Sequence, residues 1–331
     1  MTPSPMLVFE TLQAYQRTEA LKAALELKLF TAIAGGATTA ETLGERCQAS
    51  AKGMRVLADF MTVQGLLTKT NGAYALTSDS AMFLVEGSPA YMGGMANFML
   101  HPGLKVANEN LAEVVRKGGT LLPAEGSVSP ENPIWVDFAR GMMPMMMPAA
   151  QMIAAMSART GPMKVLDIAA GHGLFGIVVA QHNPEAVVYA LDWKAVLAVA
   201  REHAGQFGVG ARWNAIEGDA FTADYGAGYD LVLVTNFLHH FDYACNVTLL
   251  KRLKAAMKPG GRVVILEFAV NDDRVTPPNA ATFALQMLSS TQAGDAYSFS
   301  ELEAMCREAG FGEVTHHSVA PTPQSLTIAV A

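Results

Sequence analysis

The stretch VLDIAAGHGLFG, residues 165–176, decides the fold. Its first four residues suit a buried strand, AAGHG is a glycine turn, and LFG opens a helix. Gly171, Gly173 and Gly176 satisfy G-x-G-x-x-G. In that spacing the glycines let a strand turn tightly into a helix and let the backbone approach a bound nucleotide. Working outward, strands are expected at 164–168, 187–191, 212–216, 229–235, 262–268, 313–319 and 325–330, with helical stretches between them. Such alternation implies an open, mostly parallel sheet with helices on both faces. In sheets of this kind the ligand lies outside the carboxyl ends of the strands.

The glycine pattern alone fits NAD, with Asp192 placed to hold a ribose. Two further features shift the reading to S-adenosylmethionine. Asp167 stands near the glycine turn, where a carboxylate beside a pyrophosphate would be repelled. The ammonium and sulfonium of S-adenosylmethionine would instead be attracted. IEGDAF, 216–221, then places Asp219 to accept from an adenine amino group, with Phe221 or Trp193 to cover the ring. Asp192, in YALDW, would accept both ribose hydroxyls. Three acids at three successive strand ends suit a cationic nucleoside. The cofactor-binding set is Asp167, Gly171, Gly173, Asp192, Trp193, Asp219, Ala220, Phe221 and Asn236.

The N-terminal third reads differently. Residues 11–34 carry a helical stripe of Leu21, Leu25, Leu29 and Ile33. TTAE, 38–41, has the form of a capping box from Thr38 to Glu41. Ser50 can cap a third helix that stops at Gly65, and Asn71-Gly72 between two short runs signals a hairpin. This is the element order of a winged helix. Between Ser50 and Gly65 the basic residues are Lys52 and Arg55, offset by Asp59. That is a poor phosphate-binding face, so a packing or dimerisation module is preferred to a DNA-binding one. Residues 80–160 are expected to be mostly helical, with a Gly/Pro/Ser-rich loop at 118–133.

VLDIAAGHG, YALDW, EGDAF, NFLHHFD, KPGGRVVILE (258–267) and AGF (309–311) together resemble the class I S-adenosylmethionine-dependent methyltransferases. The closer resemblance is to small-molecule O-methyltransferases of the caffeate and acetylserotonin kind, which carry an N-terminal winged-helix dimerisation domain. It implies an α/β fold, a Rossmann-like methyltransferase sheet with an antiparallel hairpin at its C-terminal edge around PTPQS, and a homodimer. The corresponding division is 1–100 for the winged-helix domain, 101–160 for a helical connector lining the acceptor pocket, and 161–331 for the catalytic domain.

The same resemblance makes His239 the base that takes the acceptor proton and Glu267 the acid that orients it. The resemblance also implies a second orienting acid before the last helix, and here the chain departs from it: in AGDAYSFSEL (293–302) the aligned residue is Ala296, with Asp295 beside it, which leaves Glu267 or Asp295 alone to poise His239. His240 stands where many relatives have Asp. Phe138, Met142, Met143, Met146 and Met147 would line the acceptor pocket with His240 and Asp295, and Pro144 and Pro148 would bend that segment. Adjacent histidines point apart and no third ligand is spaced nearby, so no metal site is expected. A C- or N-methyltransferase, a repurposed non-methylating enzyme and a winged-helix ligand-sensing regulator are the alternative readings.

Composition bounds these readings. The 331 residues are 51% hydrophobic and 16% charged, a folded composition. The net charge of −7 disfavours nucleic acid and anionic membranes as partners. Cys47, Cys245 and Cys306 lie far apart and read as reduced thiols. GMMPMMMPAAQMIAAM, 141–156, is too short to span a bilayer, and MLVFETLQAYQRTEALK has no apolar signal region. A cytoplasmic enzyme acting on a small molecule is expected.

Overall fold

The alternation from residue 161 onward folds as one seven-stranded sheet. A computed structural model describes residues 3–123, 126–320 and 322–331. Two compact units divide the chain at Ala96/Asn97.

The first unit is built from α1 (Met6–Glu26), α2 (Leu29–Ala34), α3 (Ala40–Arg46), α4 (Ala51–Val63), the hairpin β1 (Leu67–Thr70) and β2 (Ala73–Leu76), and α5 (Ser78–Phe83). Its core gathers Leu29, Phe30, Leu43, Met54, Met61 and Tyr74. Ser50 caps α4 through the Gly53 N–H, and Gly65 follows the helix end at φ +78°. Asn71 and Gly72 both take positive φ, the demand of a tight two-residue hairpin turn. Two details differ from expectation. The stripe over 11–34 is broken at Lys28, φ +54°, so it forms two helices. The capping box runs from Thr39 to Thr42, one residue later than expected, because the Thr39 hydroxyl takes the N–H of Thr42. Arg55 and Lys69, on the helix and wing that would read DNA, both pair with Asp59.

α6 (Met95–Met99) spans the division. The second unit continues with α7 (Pro102–Glu109), α8 (Leu111–Lys117), α9 (Ile134–Gly141) and α10 (Met143–Met156). Then come β3 (Met163–Ile168), α11 (Leu174–His182), β4 (Ala186–Asp192), α12 (Lys194–Gln206), β5 (Trp213–Glu217), β6 (Tyr229–Thr235), α13 (Tyr243–Ala256), β7 (Met257–Glu267), α14 (Pro278–Ser290), α15 (Phe299–Glu308), β8 (Val314–Ser318) and β9 (Ser325–Val330). Residues 101–160 therefore lie within the second unit, with the sheet. Part of the loop expected at 118–133 and Pro321 of PTPQS fall outside the described residues.

The sheet order is β5-β4-β3-β6-β7-β9-β8. β3 to β7 are parallel, and β9 is antiparallel to both of its neighbours, forming the expected C-terminal hairpin. β3 carries β4 on one side and β6 on the other, so the crevice for a ligand opens at its carboxyl end. Val165, Leu166, Val232, Leu233, Val264 and Ile265 are buried on both faces, as a helix-covered parallel sheet requires. No helix among the described residues is long and apolar enough to cross a membrane.

Candidate active site

The glycine turn is held from beneath. Gly171 and Gly173 adopt φ +57° and +74°, which L side chains avoid. A Cβ on Gly171 would lie 3.2 Å from the Phe138 ring, and one on Gly176 would lie 2.7 Å from Val188 and 3.0 Å from Asp167 Oδ2. The backbone therefore reaches positions that side chains would fill.

The three acids occupy different environments. Asp192 ends β4; its Oδ2 accepts from the Gly171 N–H at 2.8 Å and its Oδ1 from the Trp193 N–H at 2.7 Å. Burial nevertheless pushes its pKa up to about 6. Asp219, two residues past β5, accepts from the Phe221 N–H at 2.7 Å. Both are partly exposed. Asp167 departs from the expectation that it rims the crevice. It is wholly buried under the turn, with Oδ2 accepting from the Gly176 N–H at 3.1 Å and Oδ1 unpartnered. Burial, reinforced by the Asp192 charge, raises its pKa to about 8 despite the Gly176 bond. The turn folds back over the strand end, and that closure is a tertiary event. Trp193 packs toward Ala139, Val196 and Val199, Ala220 is buried, and Phe221 meets Phe241 edge-on at 4.9 Å.

At the end of β6 the chain turns sharply. Asn236 takes φ +54° while its N–H bonds Leu266 O; its side chain reaches Met146 Sδ at 3.7 Å and accepts from Gln324. A 3₁₀ turn then carries His239 and His240, and buried Asn246 holds it by donating to Leu238 O at 2.9 Å. His239 Nδ1 lies 2.6 Å from Glu267 Oε2, with both side chains almost fully buried. Glu267 Oε1 also accepts the N–H groups of Phe237, 3.1 Å, and His239, 3.3 Å. The carboxylate accepts a hydrogen bond from Nδ1–H, so Nε2 keeps its lone pair. Asp295 does not share this task. Its N–H donates to His239 O at 3.0 Å, but its carboxylate lies beside Arg274 at 3.6 Å.

Facing the histidines is an aromatic wall that the sequence marks only in part. Phe138 stacks on His172 at 5.7 Å and 15°, and meets Trp135 and Phe98 edge-on. Trp135 in turn meets His240 at 5.3 Å. On the other side Phe283 meets His239 at 4.8 Å and stacks on Phe268. Trp135, Phe268 and Phe283 escape sequence reading because no motif contains them. Met142 and Met146 are buried, whereas Met143 is half-buried and Met147 contacts exposed Gln151. α9 ends at Gly141, Pro144 lies in the first turn of α10, and Pro148 lies inside it, so the break precedes both prolines.

The corner fits a cationic nucleoside. Asp192 and Asp219 offer partly exposed carboxylates, Asp167 beneath the turn has a buried Oδ1 without a partner, and the glycine backbone leaves room for a ligand. Asp192 and Asp219 would hold it, and Gly171 and Gly173 would face it. Sheet order, glycine turn and paired His–Glu together define an S-adenosylmethionine-dependent methyltransferase.

Residues 128–312 match the O-methyltransferase domain, and residues 9–86 match the O-methyltransferase dimerisation domain. The chain belongs to this O-methyltransferase family, and its cofactor is S-adenosylmethionine. The 3-hydroxy-5-methyl-1-naphthoate 3-O-methyltransferase of Streptomyces sahachiroi is 29% identical, the match covering 94% of this chain and 90% of that one. The crystal structure of a candidate O-methyltransferase from Nostoc punctiforme is 49% identical over the whole of both chains, with TM-score 0.96. Human N-acetylserotonin methyltransferase in complex with S-adenosylmethionine shares the fold at TM-score 0.86, with 21% identity over 98% of this chain and 96% of that one.

Proposed function

We propose that this methyltransferase acts on a hydroxyl of a small aromatic or polyketide-like acceptor, with His239 as the base. The observation that carries the proposal is the 2.6 Å bond between His239 Nδ1 and Glu267, buried at the carboxyl ends of two neighbouring strands. Bound S-adenosylmethionine supplies an electrophilic methyl group on sulfur. Asp192 and Asp219 would hold its nucleoside, with Trp193, Ala220, Phe221 and Asn236 around them. His239 Nε2 takes the acceptor proton as the oxygen attacks, and Glu267 stabilises the imidazolium that forms. Trp135, Phe138, Phe283, Met142 and Met146 would clamp a flat ring and orient its hydroxyl for methyl transfer. The Streptomyces sahachiroi relative is named for a hydroxynaphthoate, a flat acceptor of this kind.

The working form is a homodimer. α1 leaves Met6, Leu7, Phe9 and Leu12 more than half exposed, an apolar face suited to a second copy of the same domain.

Methyl transfer from labelled donor to a panel of phenols, catechols and naphthols tests the reading. His239→Ala should lower turnover by about 10²–10⁴-fold, the usual contribution of a positioned base, while calorimetry gives an unchanged cofactor Kd. Full turnover in that variant would remove His239 as the base.

A further inference from the structure

His240 has a feature the His239–Glu267 mechanism does not use. The residue is 7% exposed, and Nδ1 is sealed from solvent with no hydrogen-bond partner. Of the two ring nitrogens, Nδ1 alone is both sealed and unpartnered among the described residues. A buried polar atom without a partner is uncommon in a native protein and calls for a reason. Burial, with His239 adjacent, lowers the His240 pKa well below the usual value, so the ring is neutral. A neutral imidazole has one donor and one acceptor nitrogen. A sealed N–H without an acceptor is the costlier arrangement, which puts the lone pair on Nδ1 and the proton on Nε2.

The two histidines then offer opposite groups. His239 donates a hydrogen bond from Nδ1–H to Glu267 and presents an acceptor at Nε2; His240 presents a donor. Their ring centroids are 4.3 Å apart at 60°. The pair is fixed from behind by Gly294, where a Cβ would lie 2.3 Å from His239 O and 3.0 Å from the His240 carbonyl carbon. Trp135, at 5.3 Å, connects His240 to the aromatic wall.

We propose that His240 donates to a second oxygen of the acceptor, and that the preferred substrate is an aromatic hydroxyl flanked by a carbonyl or hydroxyl oxygen on an adjacent or peri carbon. The proposal rests on the O-methylating reading of the site. The hydroxyl proton goes to His239, and the flanking oxygen takes the His240 N–H. A lone phenol satisfies His239 and leaves the second site unmatched.

The test is calorimetry on protein saturated with S-adenosylhomocysteine, using 1-naphthol, 2-acetyl-1-naphthol and 2,3-dihydroxynaphthalene. The wild type should bind the two flanked compounds about tenfold more tightly than 1-naphthol, the worth of one well-made hydrogen bond. His240→Phe keeps a ring without a donor and should bring that ratio close to one. His240→Gln should restore part of it. Equal affinities in the wild type, or an undiminished ratio in His240→Phe, would overturn the proposal. The wild-type comparison stands even where a variant fails to fold, which its S-adenosylhomocysteine affinity reveals. The same compounds with labelled donor separate the two levels. An absent ratio with methyl transfer intact removes the role of His240 alone. A clear ratio with no methyl transfer to any phenol supports the binding site and removes the O-methylating reading.

Discussion

Glu267 makes three hydrogen bonds, to His239 Nδ1 and to the N–H groups of Phe237 and His239. It therefore sets both the tautomer of His239 and the path of the turn that carries it. Glu267→Gln keeps an oxygen for the two N–H groups but turns an amide toward Nδ1, which favours the wrong tautomer. Turnover should fall about 10²-fold or more, with the S-adenosylmethionine Kd unchanged by calorimetry. A parallel loss of cofactor affinity would make Glu267 a support of the turn and no partner of the base. Sequence placed both residues near strand ends, since each falls in a recognisable motif. It carried Asp167 and Asp295 poorly. Motif position gives the strand end but not which way a side chain faces. Asp167 is covered by its own glycine turn, and Asp295 turns to Arg274, 21 residues upstream.

At the scale of elements, all seven strands lie where the apolar runs place them. The exception in extent is β7, which starts at Met257, ahead of the expected 262. Its first residue pairs with Tyr229 across a register shift, an irregularity that depends on the partner strand and leaves no local signal. Helix ends were less legible, because the break at Lys28 follows packing around Leu29 and Phe30 and no Gly or Pro marks it. Gly176 shows what the glycine pattern does at this scale. It lets α11 sit against β3 and β4, with its N–H on Asp167. Gly176→Ala forces Val188 or Asp167 to move, since a Cβ at 2.7 Å cannot be accommodated. Overpacking of this kind costs about 1–3 kcal/mol, so the melting temperature should drop by several degrees at roughly 2–4 °C per kcal/mol. A scanning calorimetry trace unchanged from wild type would show that the helix can slide away from the sheet.

For the molecule as a whole, buried titratable groups make stability depend on pH in a defined direction. Asp167 has a folded pKa of about 8 against an ordinary 3.8, so between those values the folded chain holds a proton the unfolded chain has lost. Its contribution is complete below about pH 4 and disappears as pH rises through 8. Burial lowers His172 to about 3, and its sign is opposite: stability is present above 6.5 and lost on acidification toward 3. The two slopes oppose each other below 6.5, and Asp167 dominates from there to 8. The cofactor-free protein should therefore lose stability between pH 6.5 and 8, by at most about 1.4 kcal/mol per pH unit for one proton. Asp167→Asn should flatten that slope in urea melts, because the amide has no proton to lose. A wild-type slope that is zero or positive across this window would mean that Asp167 is ionised in the folded protein. The acid beside the glycine turn would then carry its charge before any cation arrives.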